Sequence, residues 1–211
     1  MIRFTEVHKG FGPKVVLDGL TLDIPEGKTT VLIGFSGTGK SVALKHIVGL
    51  LAPDQGAVSV EGRIVHELSP EGLAELRSQV GYVFQFAALF DSLSVEDNIR
   101  LGLARRGLDR YEIEDRIRDS LALVDLAGAE ERFPAELSGG MRKRVGIARA
   151  IAFRPRYILY DEPTTGLDPV TSAVIDELMV RARRELGVTG VVVTHDMRSA
   201  YTVGDCIAML Y

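Results

Sequence analysis

The stretch that decides the fold is Gly34-Phe35-Ser36-Gly37-Thr38-Gly39-Lys40-Ser41. It follows an apolar run at residues 29–33 and precedes an apolar, helix-like pattern over residues 40–51. The spacing G-x-x-x-x-G-K-[ST] between a strand and a helix predicts a phosphate-binding loop. Small residues let the backbone curl so that its N–H groups face phosphate oxygens, and the helix adds its positive end. The sequence therefore predicts an α/β core that binds a nucleotide.

Two side chains of this loop have specific predicted roles. The Lys40 ammonium is expected to reach the β- and γ-phosphates, and the Ser41 hydroxyl to ligate Mg²⁺. The remaining residues of 34–41 are expected to surround the phosphates with backbone N–H groups. The predicted cofactors are accordingly ATP and Mg²⁺.

A second apolar strand, predicted at residues 157–160, ends in two carboxylates, Asp161 and Glu162. Ligands bind at the carboxyl ends of strands in open α/β sheets, so this pair is expected to lie near the phosphate loop. Asp161 is expected to hold Mg²⁺, and Glu162 to polarise the attacking water as a general base.

Gln85 and His195 also follow predicted buried strands, at residues 80–84 and 191–194. The neutral amide of Gln85 can contact Mg²⁺ or the attacking water. The His195 imidazole can bond the γ-phosphate as negative charge develops there. Both residues are therefore candidate catalytic groups, and Gln85 is also a candidate metal ligand.

A second anion-binding helix start is predicted at Ser138-Gly139-Gly140. Ser138 suits an N-cap, and the two glycines allow an anion to approach the free N–H groups. One chain does not easily bring this helix start to its own phosphate loop, whereas a head-to-tail pair of chains does. The cations Arg142, Lys143 and Arg144 that follow are predicted to form a solvated helix face.

The pattern along the chain predicts one α/β unit, residues 1–211, interrupted by helices. Residues 1–33 are β-rich, with two strands separated at Asp18-Gly19. The predicted nucleotide-binding core comprises residues 1–90 and 155–211, because continuous apolar strands typical of a parallel sheet return after residue 155. Residues 91–154 are rich in Arg, Glu, Leu and Ala and are predicted to form a helical subdomain that carries Ser138.

Composition excludes several classes of protein. A net charge of −4 gives no bulk electrostatic argument for nucleic-acid binding, so no nucleic-acid partner is expected. The first residues lack the pattern of a signal peptide, and no apolar run approaches the roughly 18 to 20 residues of a membrane span. The sequence predicts a soluble, cytoplasmic protein whose membrane role, if any, comes through a partner.

These motifs, in this order, resemble those of the ABC ATPases along essentially the whole chain. The resemblance also includes the segment after Glu162, which matches the D-loop: Pro163-Thr164-Thr165-Gly166-Leu167-Asp168. It implies a RecA-like P-loop NTPase core with an N-terminal antiparallel β subdomain and an inserted α-helical subdomain. It implies that Phe11 stacks on adenine, that Asp168 belongs to the nucleotide site, and that two chains form a homodimer.

Two features resemble the ATPases of bacterial lipid-transport systems of the Mla and Mce type. Met141 stands where most ABC ATPases carry Gln, and the segment 84–99 has a distinctive form. This resemblance implies that the dimer drives integral membrane permease subunits from the inner face of the inner membrane, together with a lipid-binding protein. Phe35 departs from the Pro of many P-loops, and members of the family continue beyond the position of Tyr211.

Other readings of the same motifs remain open. One alternative is the ATPase of an amino-acid or ion importer, against which the Met141 signature argues. Another is a non-transport ABC ATPase, such as a cofactor-assembly factor. DNA-repair members need a long coiled coil between Gln85 and Ser138, and residues 86–137 show no sustained heptads.

Overall fold

The computed structural model describes residues 1–211, with Arg105 described by its backbone alone. Its strands are β1 (Ile2–Phe11), β2 (Lys14–Ile24), β3 (Thr29–Ile33), β4 (Gln55–Val60), β5 (Arg63–Ile64), β6 (Val80–Val83), β7 (Tyr157–Asp161), β8 (Thr189–Val193) and β9 (Cys206–Met209). Its α-helices are α1 (Lys40–Ile47), α2 (Pro70–Ser78), α3 (Val95–Leu103), α4 (Arg110–Leu123), α5 (Gly139–Ile151), α6 (Pro169–Leu186) and α7 (Met197–Val203). Within this described part of the chain, no helix has the length and apolar character needed to cross a membrane.

The strands form two sheets. The four-stranded sheet has the order β2-β1-β4-β5 and is antiparallel throughout. The five-stranded sheet has the order β6-β7-β8-β3-β9 and is parallel. Strands β3 and β8 are buried at every position, as expected for parallel strands covered on both faces. This arrangement confirms the predicted fold class.

Helices α3, α4 and α5 follow one another between β6 and β7, inside the range predicted for the helical subdomain. The buried faces of these helices share one apolar cluster with the parallel sheet, through residues such as Ile99, Leu121 and Ile147. A second cluster joins the antiparallel sheet to the other face, through Phe4, Leu44 and Leu159. The boundaries at residues 90 and 155 stay predictions.

Two sequence expectations about element bounds were wrong. Helix α1 ends at Ile47 rather than near residue 51, because Gly49 adopts a left-handed conformation, φ 64°, that ends the helix. Strand β2 continues through Asp18-Gly19 instead of breaking there. The β1–β2 register shifts between Val7 and Gly10 absorb the irregularity, as β-bulges do.

Candidate active site

A cavity of about 980 Å³ lies at the carboxyl ends of the parallel strands, where open α/β sheets bind ligands. Most residues predicted for nucleotide chemistry line it: Phe11, Gly34, Phe35, Ser36, Gly37, Gly39, Lys40, Ser41, Gln85, Glu162 and His195. The residues predicted from the second helix start, Ser138, Gly139 and Gly140, are not among those that line it, nor is Asp168. Of the two predicted phosphate-binding elements, the cavity therefore contains the phosphate loop and not the start of the signature helix.

The loop between β3 and α1 requires glycine at two positions. Gly34 has φ 152°, and a Cβ there would lie 2.4 Å from the carbonyl oxygen of Leu210. Gly39 has φ 94°, and a Cβ there would lie 2.6 Å from the Leu17 side chain. Any larger residue would displace backbone or core, so the loop conformation depends on these two glycines.

The Lys40 ammonium lies within the loop it serves. Its Nζ donates to the carbonyl oxygens of Gly34 at 2.8 Å and Phe35 at 2.9 Å, although the residue is only 6% exposed. Thr38 closes the loop from the other side through a hydrogen bond from its hydroxyl to the Phe35 carbonyl, 2.9 Å. Among the described residues, the buried ammonium is therefore held by two carbonyl oxygens of the loop, an arrangement that an incoming anion would improve.

Asp161 ends β7 beside Ser41, the first-turn serine of α1. The Ser41 hydroxyl donates to Asp161 Oδ1 at 2.7 Å, and the Tyr82 hydroxyl donates to Oδ2 at 3.1 Å. A hydroxyl and a carboxylate at this separation are hard oxygen donors of the kind that Mg²⁺ prefers. The residues present fit a Mg²⁺ ion that enters with a nucleotide, with Gln85 across the same cavity.

Glu162 is oriented by two neighbours. The Thr165 hydroxyl donates to Glu162 Oε2 at 2.9 Å, and His195 Nδ1 lies 2.8 Å from the same oxygen. Because a carboxylate only accepts, Nδ1 must carry the proton, and Nε2 is left facing outward as the second ring nitrogen. Glu162 also holds a strained backbone, φ 52°, which is uncommon for a non-glycine residue and clusters at functional sites.

Lys143 was predicted to lie on a solvated helix face, and that prediction is wrong. The residue is 7% exposed, and its Nζ donates to the backbone carbonyls of Gln85 at 2.6 Å and Glu162 at 3.4 Å. Burial lowers the pKa of the ammonium, and the charge of Glu162 partly opposes that effect. Lys143 therefore ties α5 to two residues of the active site. The sequence signal that could have revealed this contact is the position of Lys143 five residues after Ser138, which places it on the buried face of α5.

The neighbours of Lys143 in sequence, Arg142 and Arg144, also form hydrogen bonds within the chain. Arg142 donates to the carbonyls of Pro134 and Leu137, and Arg144 to those of Val124 and Asp125. These cations hold the loops on either side of α5. They do not form a free basic patch.

An aromatic and aliphatic wall faces the phosphate loop. Phe11, at the end of β1, is 48% exposed and lies in the cavity lining with Val16, Met197 and Met209. The Lys9 ammonium lies 5.7 Å from the Phe11 ring centroid, within cation–π range. An exposed ring at the mouth of the cavity suits stacking on a flat base, the role predicted for Phe11.

The signature segment starts α5 outside this cavity. Ser138 caps the helix by accepting a hydrogen bond from the Met141 backbone N–H at 3.2 Å, and Ser138 and Gly139 are exposed. Gly140 is buried, and a Cβ there would lie 2.5 Å from Thr171 at the start of α6. Only the first glycine therefore leaves space for an incoming anion. The second allows α5 to pack closely on α6.

Asp168 caps α6 by accepting hydrogen bonds from the Val170 and Thr171 backbone N–H groups, both at 3.0 Å, and from the Thr171 hydroxyl. These donors hold the pKa of its carboxyl below its usual range. Within the chain Asp168 supports the helix beside the signature rather than the cavity. Its predicted place at a nucleotide stays a prediction.

Sequence comparison identifies the family. A model of the family described as ABC transporter matches residues 17–165, the stretch from β2 through the phosphate loop, signature and Asp161-Glu162. The chain belongs to this family. Its motifs are those of an ABC ATPase domain, the part of such systems that binds and hydrolyses ATP.

Three curated relatives show the range of systems that this domain resembles. The chain is 43% identical over 211 residues to a probable ribonucleotide transport ATP-binding protein, Mkl, of Mycobacterium leprae, and covers 61% of it. It is 40% identical over 210 residues to the sulfate/thiosulfate import ATP-binding protein CysA of Nocardia farcinica, covering 62%. It is 45% identical over 188 residues, 85% of this chain, to the protein trigalactosyldiacylglycerol 3 of Arabidopsis thaliana, covering 54% of that protein. The chain thus spans less than two thirds of each relative.

A solved structure supports the fold at the level of the whole domain. The ATP-binding cassette MJ0796, in a dimeric post-hydrolysis state bound to ADP and phosphate, superposes with a TM-score of 0.88. The two are 33% identical, and the match covers 100% of this chain and 94% of the other. The parallel sheet, the antiparallel sheet and the helices between β6 and β7 are therefore those of an ABC cassette.

Proposed function

We propose that this chain hydrolyses Mg-ATP as one half of a head-to-tail dimer and that the dimer drives a membrane permease that moves lipid. The observation that carries the hydrolysis proposal is the oriented Glu162 carboxylate. It receives hydrogen bonds from Thr165 and His195 and lines the same cavity as Lys40 and Ser41. A carboxylate in such surroundings is placed to accept a proton from water.

Binding of the triphosphate follows from the loop geometry. Lys40 exchanges two carbonyl contacts for charged phosphate oxygens, and the loop N–H groups provide the remaining donors. Mg²⁺ held between Ser41 and Asp161 would neutralise phosphate charge. Phe11 stacks on the base at the open end of the cavity.

In hydrolysis, the oxygen of a water attacks the γ-phosphorus, Glu162 takes its proton, and ADP leaves with the bridging oxygen. His195 contributes twice. Its Nδ1–H holds Glu162 through the 2.8 Å contact, and Nε2, when protonated, donates to the phosphoryl group as charge develops. Gln85, which lines the same cavity, orients the water, and Lys143 fixes the Gln85 backbone through its carbonyl oxygen.

The dimer proposal rests on the separation of the two phosphate-binding helix starts. Ser138 and Gly139 are exposed and are not among the residues that line the cavity. A second copy related by a two-fold axis would place its signature over the phosphate loop of the first, which closes both sites at once. Pairing of two copies is supported by the dimeric state of the similar cassette MJ0796.

A permease partner is supported by an exposed aromatic strip beside Gln85. Phe84, Phe86 and Phe90 are 43%, 83% and 54% exposed, and all three belong to the segment that joins β6 to α3. Large apolar side chains exposed together mark binding surfaces. A permease segment docked there would contact the residues on either side of Gln85. The chain would then act at the inner face of a bacterial inner membrane.

Lipid as the transported substrate is supported by Met141 in the signature and by one relative named for a galactolipid. A second candidate is import of a small solute, supported by the sulfate/thiosulfate relative. A lipid-binding protein outside the membrane would complete the first kind of system.

Co-purification from native membranes separates the two candidates. The tagged chain is isolated in mild detergent, and bound proteins and lipids are identified by mass spectrometry. If the substrate is lipid, we expect a permease with bound phospholipid to co-purify. Reconstitution of this complex into phospholipid vesicles should raise its rate of ATP hydrolysis. Recovery with a periplasmic solute-binding protein, whose solute stimulates hydrolysis in lipid-independent fashion, would contradict it.

A further inference from the structure

Tyr82 occupies a position in β6 from which it reaches the carboxylate of the neighbouring strand. In the parallel register, Tyr82 pairs with Leu159, and Asp161 lies two residues further along β7. Side chains two residues apart in a strand share a face, and an aromatic ring spans the diagonal to such a neighbour. The Tyr82 hydroxyl accordingly donates to Asp161 Oδ2 at 3.1 Å.

The Tyr82 ring is itself held in place. It stacks on Phe84 with centroids 4.5 Å apart and planes inclined by 29°. A phenol has a pKa of about 10 and is therefore a proton donor at physiological pH. A rigid ring with a permanent donor suits an orienting role better than a mobile side chain does.

The two oxygens of Asp161 are therefore held by hydroxyls from different elements. The Ser41 hydroxyl, in α1, donates to Oδ1 at 2.7 Å, and the Tyr82 hydroxyl, in β6, donates to Oδ2. If Ser41 and Asp161 held Mg²⁺ together, the Ser41 hydroxyl would be shared with the ion. The Tyr82 hydroxyl, on the other carboxylate oxygen, would still fix the Asp161 side chain.

We propose that Tyr82 is a positioning residue for the metal site, in that its hydroxyl fixes the Asp161 carboxylate with Oδ1 toward Ser41. This inference rests on the proposed binding of Mg-ATP. Loss of the hydroxyl has two opposed effects: the carboxylate gains charge density, which favours the cation, and loses its fixed orientation. The second effect dominates, since removal of the outer hydrogen-bond partner of a metal ligand costs about 10- to 100-fold in metal affinity or activity.

The test is a Mg²⁺ titration of nucleotide binding by Tyr82→Phe. A non-hydrolysable ATP analogue is titrated by calorimetry in EDTA and at increasing free Mg²⁺, and Mn²⁺ bound in the ternary complex is measured by electron paramagnetic resonance. We expect unchanged affinity in EDTA and a midpoint for the Mg²⁺ effect raised about tenfold or more. Mn²⁺ occupancy should fall in parallel.

Tyr160→Phe is the matched control. Tyr160 precedes Asp161 in β7, is 3% exposed, and its hydroxyl has no hydrogen-bond partner among the described residues. The variant loses the same atom from the same sheet without touching the carboxylate. It should show the parental Mg²⁺ midpoint.

The outcomes are distinct. A parental Mg²⁺ midpoint in Tyr82→Phe overturns the positioning role, and so does an equal loss of affinity in EDTA, which would indicate general damage to the cavity. If the phenylalanine variant unfolds by circular dichroism, Tyr82→Met provides the same test without the hydroxyl. Failure of the parental chain to bind nucleotide in EDTA or Mg²⁺ would instead contradict the proposed function.

Discussion

The phosphate loop and the signature segment are both glycine-rich helix starts, and the chain treats them differently. The phosphate loop is surrounded by its own chain: Lys40 and Ser41 already contact Phe35 and Asp161, and Glu162 lies across the cavity. At the signature, the Ser138 hydroxyl accepts a hydrogen bond from the start of its own helix, and Gly139 is exposed. One chain therefore gathers most of the predicted catalytic groups in its own cavity and leaves the signature helix start exposed.

The largest effect is expected in the cavity that contains the phosphate loop. Glu162→Gln keeps the size of the side chain and can retain the Thr165 and His195 contacts, but it removes the base. The hydrolysis rate should fall about 10²- to 10⁴-fold, measured as phosphate release, while Mg-ATP still binds. Glu177→Gln, on the exposed face of α6, makes the same chemical change away from the cavity and should keep the parental rate. A parental rate in Glu162→Gln would transfer the role of base to His195.

Mixing two variants tests whether the exposed signature of one chain completes the active site of another. Lys40→Ala and Ser138→Arg chains are each expected to be nearly inactive alone. In a heterodimer, one composite site carries both changes and the other carries neither, so part of the parental rate should return. Recovery should grow with protein concentration, because the dimer forms by mass action.

The control for the mixing experiment is a crosslink. Cysteines introduced at Ser138 and Ser36, in a chain with Cys206→Ser, should join two chains in the presence of ATP. Crosslinking between chains without recovered activity would mean that both sites must be intact to turn over. If the chains neither crosslink nor recover activity on mixing, the shared site would be contradicted.

A smaller effect is expected for nucleotide affinity. Lys40→Ala removes a buried cation whose contacts with phosphate are worth about 1.5 to 3 kcal/mol, so the dissociation constant for ATP should rise on the order of tenfold or more. Lys45→Ala removes the same charge from the exposed face of the same helix and serves as the control. Calorimetric titration distinguishes them. Equal affinity in Lys40→Ala and Lys45→Ala would contradict the assigned role of the phosphate loop.

The sequence predicted best where chemistry dictates residue type. The loop 34–41 lies between a strand and a helix, and a strand ends at the acidic pair 161–162, as predicted, because glycine spacing and strand burial are local properties. It failed for Lys143, since a cation between Arg142 and Arg144 looks solvated until tertiary packing inserts it behind Gln85. It also gave no sign of Tyr82, whose contact with Asp161 depends on the pairing of β6 with β7.

The smallest expected effect concerns a buried hydrogen bond between α6, which packs on the signature, and α7, which follows the cavity. Helix α6 packs against Gly140 of the signature through Thr171, and α7 follows His195 of the cavity. Asp176 of α6, 3% exposed, accepts a hydrogen bond from the Ser199 hydroxyl of α7 at 2.9 Å. Burial, the main cause, and the charge of Asp196 raise the pKa of Asp176 to about 6, against the effects of Ser199 and Arg198.

The sign of the resulting pH dependence follows from proton binding. In the unfolded chain an aspartate has a pKa of about 3.9, so between about pH 4 and pH 6 the native state holds a proton that the unfolded state has lost. The free energy of unfolding therefore falls as pH rises through this window and stays lowered above it. Asp176→Asn removes the titration and can keep the Ser199 contact. It should be more stable than the parent at pH 8, by about 1 to 2 kcal/mol, with a smaller difference at pH 5.

Urea unfolding at pH 5 and pH 8 measures this difference. Asp23→Asn is the opposing control, because Arg3 holds the pKa of the exposed Asp23 below its usual range and the substitution should not stabilise the chain at pH 8. If Asp176→Asn gains nothing at pH 8, the buried carboxylate carries no titration penalty. If it loses stability at both pH values, the carboxylate is needed to join α6 to α7. The connection between the signature and the cavity would then depend on the carboxyl group itself, in either protonation state.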